Sequence, residues 1–261
     1  RAAARPNLIA RHGSKLIVLD CRSREAYNAG QVETARWVDA AAWKQASLAA
    51  EGSSASSAWT PRLSELGIGQ DSRVIVYDDG AMTEAARVWF LLQFAGITQA
   101  AVLDGGFPEL QALADRGRLR LTDRSAAPSQ ATHPAPPPAT AVCRVHRANK
   151  NDVLRASTAG TAVVLDVRTQ AEYQGIDAEK SARHGHIPGA INLPHARLLD
   201  TGRPDATATQ PAKPRGRLKP PDELRKIFTD AGLRPEQRII THCQSGGRAA
   251  LAALALVHAG Y

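Results

Sequence analysis

The stretch "RIITHCQSGGRAALAALALVHAGY" (Arg238 to Tyr261) drives a short apolar run into a cysteine. Two polar residues, two glycines and an arginine follow, and then an alanine-rich run. Ile239 to Thr241 has the length and β-branched character of a buried strand, and the segment from Gly247 or Arg248 onward has the length of a helix. A buried strand running straight into a helix implies a parallel sheet covered on both faces, an α/β architecture. Cys243 then lies in a strand-to-helix loop at the carboxyl edge of the sheet, where such folds hold their ligands.

Working outward, the same pattern occurs twice. "KLIVLDCRSREAY" (Lys15 to Tyr27) resembles "AVVLDVRTQAEY" (Ala162 to Tyr173), with Asp20 matching Asp166 and Arg22 matching Arg168. "LGIGQDSRVIVYDDG" (Leu66 to Gly80) resembles "AGLRPEQRIITHCQS" (Ala231 to Ser245), which sets Asp78 at the position of Cys243. The second pair is spaced farther apart, so two copies of one domain with an insertion in the second explain the chain. Ser125 to Thr140, with five prolines, reads as an extended linker. The expected division is a first domain at 1–124, a linker at 125–140 and a second domain at 141–261. Thr201 to Arg217 reads as a surface loop. After its helix, expected at Thr83 to Phe94, copy one continues through "FAGITQAAVLDGGFPEL" (Phe94 to Leu110). Copy two stops at the equivalent "HAGY", so its last strand is expected to be missing.

The chemistry expected at Cys243 follows from its neighbours. Gly246 and Gly247 let successive N–H groups turn inward as a nest for an anion, and the following helix points its positive end at the same spot. A thiol so placed is expected to act as a thiolate nucleophile, with Arg248 adding charge attraction.

These residues resemble the rhodanese sulfurtransferases of the tandem, two-domain type. The resemblance is carried by "LDVR" (Leu165 to Arg168), "GHIPGAINLP" (Gly185 to Pro194), "CQSGGR" (Cys243 to Arg248) and, in copy one, "VLDGGF" (Val102 to Phe107). It implies two doubly wound domains, each a central parallel sheet flanked by helices, with a silent first copy, as Asp78 in place of a cysteine suggests. It also implies sulfur transfer through a persulfide on Cys243, from a small anionic donor to a thiophilic acceptor, without metal or organic cofactor. Four residues separate Cys243 from Arg248, one fewer than in the related cysteine phosphatases, and the shorter ring suits sulfur better than phosphate. Gln244, Ser245, Gly246, Gly247, Arg248, Arg168 and Arg183 are the expected donor-binding residues. Glu172 stands where relatives often carry an arginine, and Arg183 is read as a replacement cation. Thiosulfate is the expected donor. 3-Mercaptopyruvate is the alternative, and a sulfur-relay or protein-binding module is a third reading.

Plainer readings stand beside these. Cys21 and Cys143 are expected to be inert buried thiols. Arg168 either ties the strand end to Asp166 or shapes a positive field behind the loop. His184, His186 and His195 are read as structural, and the helix from Ala249 to Ala259 as core. Copy one is expected to wall the site through Arg22 to Arg24 and Phe107, or else to dock a protein.

Composition bounds the alternatives. The chain has 261 residues, of which 43% are apolar, enough for two ordinary cores, and no apolar run is long enough to span a membrane. Its formal charge of +8 comes from scattered arginines without a basic block, which suits small anions and not nucleic acid. Three cysteines without CxxC spacing argue against a disulfide framework or a thiolate zinc site. No signal-like apolar core follows Arg1, so any targeting segment has been removed or never existed; a cytoplasmic monomer is expected, with the periplasm as alternative.

Overall fold

The computed structural model describes residues 16–49, 55–69, 71–123, 145–177, 183–201 and 216–261; the expected linker and Cys143 lie outside them. Copy one runs β1 (Leu16–Asp20), α1 (Arg24–Ala29), β2 (Gln31–Val32), β3 (Arg36–Trp37), α2 (Ala40–Ala49), α3 (Ala55–Glu65), β4 (Arg73–Tyr77), α4 (Thr83–Phe94), β5 (Ala100–Val102), α5 (Phe107–Asp115) and β6 (Leu121–Thr122). Its main sheet has the order β3-β1-β4-β5 with every pairing parallel. Copy two runs α6 (Lys150–Ala159), β7 (Val163–Asp166), α7 (Gln170–Gln174), β8 (Ile191–Asn192), a 3-10 turn (His195–Leu198), β9 (Leu199–Asp200), β10 (Arg217–Leu218), α8 (Pro221–Asp230), β11 (Ile239–His242) and α9 (Gly247–His258). Its parallel sheet has the order β11-β7-β8. Among the described residues β11 is paired on one side only, whereas its counterpart β4 lies between β1 and β5.

One expectation is corrected here. The stretch read as a surface loop ends in structure, because Arg217 opens β10, which pairs antiparallel with β9. This hairpin reaches across to copy one, where donors leaving the loop find acceptors. Gly216 N–H donates to the Gly80 carbonyl at 3.1 Å, Leu218 N–H donates to Asp104 Oδ1 at 2.7 Å, and Arg217 pairs with Glu109.

Each copy has its own core. Leu19, Trp59, Ile68 and Leu92 are buried in copy one, and Leu165, Leu193, Phe228 and Leu256 in copy two. A smaller cluster joins them: Met82 and Ala86 at the start of α4 pack with Leu199 and with Ala250 and Leu251 at the start of α9. The alanines keep the two helices close. The starts of α4 and α9, hence the two strand-to-helix loops, meet at this interface.

In copy one that loop closes around Asp78, which is 2% exposed. Oδ1 accepts the N–H groups of Gly80 at 2.9 Å and Met82 at 3.0 Å, while Oδ2 accepts those of Glu84 and Ala85 at 3.1 Å each. Burial pushes the carboxyl above its usual range, and these donors pull against it. Met82, the residue before α4, adopts a left-handed φ of 59°, a strain that bringing the donors onto one point offsets. Replacing Asp78 by Asn sets an NH₂ group against two N–H donors and should destabilise the chain by about 2–4 kcal/mol. Urea unfolding followed by circular dichroism at pH 7 measures this, and an unchanged midpoint would contradict it.

Candidate active site

β11 carries Cys243 to the carboxyl edge of the sheet, where Val167 N–H donates to the His242 carbonyl at 2.9 Å and fixes the strand end. The chain then turns through Gln244, Ser245 and Gly246, all exposed, before α9 begins at the buried Gly247. Gly246 takes φ +94°, which a side chain would strain. This turn aims backbone donors at the sulfur: Gly246 N lies 3.1 Å and Ala249 N 3.4 Å from Cys243 Sγ. Cys243 is 8% exposed, so bulk water screens these donors little, and the α9 dipole adds to them. The fan around Asp78 and the fan around Cys243 are the same device, with a carboxylate as resident anion in one copy and sulfur as acceptor in the other.

Arg248, expected to add charge attraction to the cradle, also holds a carboxylate: its guanidinium forks onto Glu172, Nη1 at 2.6 Å from Oε2 and Nη2 at 2.8 Å from Oε1. That pairing lowers Glu172 to about 2 from its ordinary 4.5. It also raises Arg248, to which Cys243 contributes a smaller pull. The loop therefore shares its cation with a carboxylate. Arg168 takes the tying role, with Nε 3.0 Å from each Asp166 oxygen, Nη2 2.6 Å from Oδ2 and 2.9 Å from the Gly185 carbonyl. His242 Nδ1 stands 3.7 Å from Asp166 Oδ2. Burial alone would raise the Asp166 carboxyl; the His242 ring and the Arg168 fork outweigh it and hold the group well below the usual carboxylate range. Arg183 is exposed, two residues before Gly185.

Copy one repeats the tie without the thiol. Arg22 Nη2 lies 2.6 Å from Asp20 Oδ2, and the Tyr77 hydroxyl donates to the same oxygen at 2.7 Å. Arg22 stacks 3.5 Å from the Phe107 ring centroid and Arg24 lies 4.7 Å from that of Trp37, so the residues expected to wall the site are engaged within copy one. Cys21 is buried, and burial, with Asp78 and Asp20 nearby, pushes its thiol well up, as suits an inert side chain.

Two residues near the loop escaped the sequence reading. Arg87 of α4 sends Nη1 to within 2.5 Å of the Ser245 carbonyl, across the interface between copies. No motif marks it, because only the folded chain brings α4 to that loop. His195 was read only as structural. It is buried, and burial together with the positive Arg248 lowers its ring below the usual histidine range. Its Nδ1 has no partner among the described residues. His186 stacks on Tyr173 at 3.6 Å between centroids.

Comparison with known proteins gives a consistent picture. Residues 7–113 and 149–261 each match the rhodanese-like domain family. The chain is 34% identical over 197 residues to the 3-mercaptopyruvate sulfurtransferase of Escherichia coli K12, covering 74% of this chain and 61% of that protein. It is 31% identical over 194 residues to a putative thiosulfate sulfurtransferase of Synechococcus elongatus, covering 74% and 55%. The crystal structure of SseA from Escherichia coli, described with the fold and mechanism of 3-mercaptopyruvate sulfotransferases, superimposes with a TM-score of 0.68 at 27% identity. It covers 94% of this chain and 88% of that one. The matched region spans about three-fifths of the length of the curated relatives. No helix among the described residues is long and apolar enough to cross a membrane.

The Glu172–Arg248 pair has a definite pH signature. A carboxylate held at about 2 in the folded chain, against an ordinary 4.5, contributes stability that is complete above pH 4.5 and is lost as the pH falls toward 2. Glu172→Gln should therefore lower the urea midpoint at pH 7, and the gap to wild type should shrink by roughly half or more at pH 3. A gap that stays constant between those pH values would rule the pairing out.

Proposed function

The chain belongs to the rhodanese family, with the domain present twice, and from that premise we propose that it is a sulfurtransferase working through a persulfide on Cys243. The observation that carries this reading is the pair of N–H groups on Sγ, at 3.1 and 3.4 Å, in the same position where copy one stabilises a carboxylate with four. Donors fixed on Sγ before the reaction stabilise the thiolate, the form that attacks the donor in the first step and leaves in the second, without reorganising.

With thiosulfate as donor, the Cys243 thiolate attacks the sulfane sulfur, a new S–S bond forms, and the donor's S–S bond breaks. Sulfite leaves with the electron pair of that bond, and the enzyme holds Cys–S–S⁻. A thiophilic acceptor such as cyanide then attacks the outer sulfur. Thiocyanate leaves and the thiolate returns. Both steps conserve charge and require no outside oxidant or reductant.

Thiosulfate is favoured by the state of the arginines. Arg168 is forked onto Asp166 and Arg248 onto Glu172, so neither presents an open fork to the carboxylate of a keto acid. A second reading, 3-mercaptopyruvate as donor, is supported by the relative at 34% identity that bears that name. In that case the thiolate takes sulfur from a carbon, pyruvate leaves as its enolate, and the thiol proton passes to that carbon.

Thiocyanate formation from cyanide, measured with each donor in turn, tests both readings. Cys243→Ser should lose turnover by about 10³-fold or more, while wild type should gain the mass of one sulfur atom on Cys243 when treated with donor alone. Higher kcat/KM with 3-mercaptopyruvate would replace the first donor by the second. Absence of turnover and of the persulfide with both would sink the small-molecule reading and favour a sulfur relay fed by a protein.

A further inference from the structure

We propose that Arg87, carried by the catalytically silent copy one, is the positioning residue that holds the Cys243 loop in its sulfur-binding shape. The argument rests on one peptide unit. The Ser245 carbonyl and the Gly246 N–H belong to the same planar group and point in opposite directions. Arg87 Nη1 holds the oxygen at 2.5 Å, and the N–H at the other end stands 3.1 Å from Cys243 Sγ. Fixing one end aims the other.

The Gly246 carbonyl beyond this peptide accepts the Ala250 N–H at 2.8 Å, and Arg87 adds the hold on its Ser245 end. Gln244, Ser245 and Gly246 are exposed, and Gly246 has no side chain to oppose rotation. A flip of the 245–246 peptide would replace an N–H donor with a carbonyl oxygen facing the sulfur, turning stabilisation of negative charge into repulsion. The guanidinium also polarises the peptide it holds, since a charge-assisted hydrogen bond is about twice as strong as a neutral one.

Arg87 is itself anchored. Its side chain is 10% exposed, and Nε donates to Glu84 Oε2 at 2.9 Å. The backbone N–H of Glu84 is in turn held by Asp78 Oδ2 at 3.1 Å. On the other side, a Cβ added to Gly247 would lie 2.8 Å from Arg87 Nη2 and 3.1 Å from the Thr83 carbonyl, so glycine at 247 makes room for the guanidinium. The side chain standing at the cysteine position of copy one thus secures the turn that bears the arm gripping the loop of copy two. What that grip serves rests on the sulfur-transfer reading, whereas the contact itself does not.

The test uses the full chain and three variants: Arg87→Met, which removes charge and donor; Arg87→Gln, too short for Ser245 yet able to reach Glu84; and Arg87→Lys, which keeps the charge and one donor. The rate of Cys243 alkylation by iodoacetamide, followed on the Cys243 peptide by mass spectrometry, is measured against pH beside thiocyanate kinetics and thermal unfolding. The Met and Gln variants should alkylate about tenfold more slowly at pH 7, with the profile displaced to higher pH. Their kcat should fall about tenfold with KM for the donor within about twofold, and Lys should recover part of both losses. Should the Met variant fail to fold, the Gln variant carries the same expectation. An unmoved alkylation profile in a folded variant overturns the proposal, even where kcat falls, because Arg87 would then only hold the two copies together. A wild type that turns over neither donor would sink the sulfur-transfer reading, and the alkylation profiles would still decide the role of Arg87.

Discussion

Backbone N–H groups that converge at the end of a buried strand require an acceptor, and the rest of this structure is arranged around that requirement. Both copies turn from a parallel strand into a helix and leave donors aimed inward at the turn. In copy one the acceptor is permanent, the Asp78 carboxylate, closed off from solvent with four donors. Copy two offers two of its donors to Cys243 Sγ in a shorter, more open turn. One backbone device holds a built-in carboxylate in copy one and a thiol in copy two.

The charges around the loop are balanced, so the site is not simply a basic pocket. Asp166 with Arg168 and Glu172 with Arg248 form two forked pairs, and copy one repeats the first as Asp20 with Arg22. Paired in this way, the arginines set the shape of the strand ends and leave negative charge to be met by backbone donors. The net charge of +8 is therefore a poor guide to the local field at Cys243. Local pairing decides it, because interactions at a few ångströms in a partly buried site outweigh screened charges across the surface.

The interface between the copies brings α4 of copy one onto the Cys243 loop of copy two. Small residues, Ala86 and Ala250 among them, bring α4 against α9, and the close approach at Gly247 sets Arg87 on the Ser245 carbonyl. The hairpin of β9 and β10 adds a second crossing, through Gly216 and Leu218 to copy one.

The sequence by itself determined the duplication, the parallel α/β plan, the place of Cys243 at a strand end and the family, because each depends on local patterning: apolar strand runs, glycines at the turn and a short spacing from cysteine to arginine. The helix Thr83–Phe94 was readable for the same reason. The arginines were readable in part: the tie of Arg168 to Asp166, two residues away, was one of its two readings, whereas only the fold brings Glu172 onto Arg248. Arg87 and His195 carried no motif that would mark them. Their roles arise from contacts between elements distant in the chain, and such pairings are decided by how helices pack across an interface, which residue spacing does not encode.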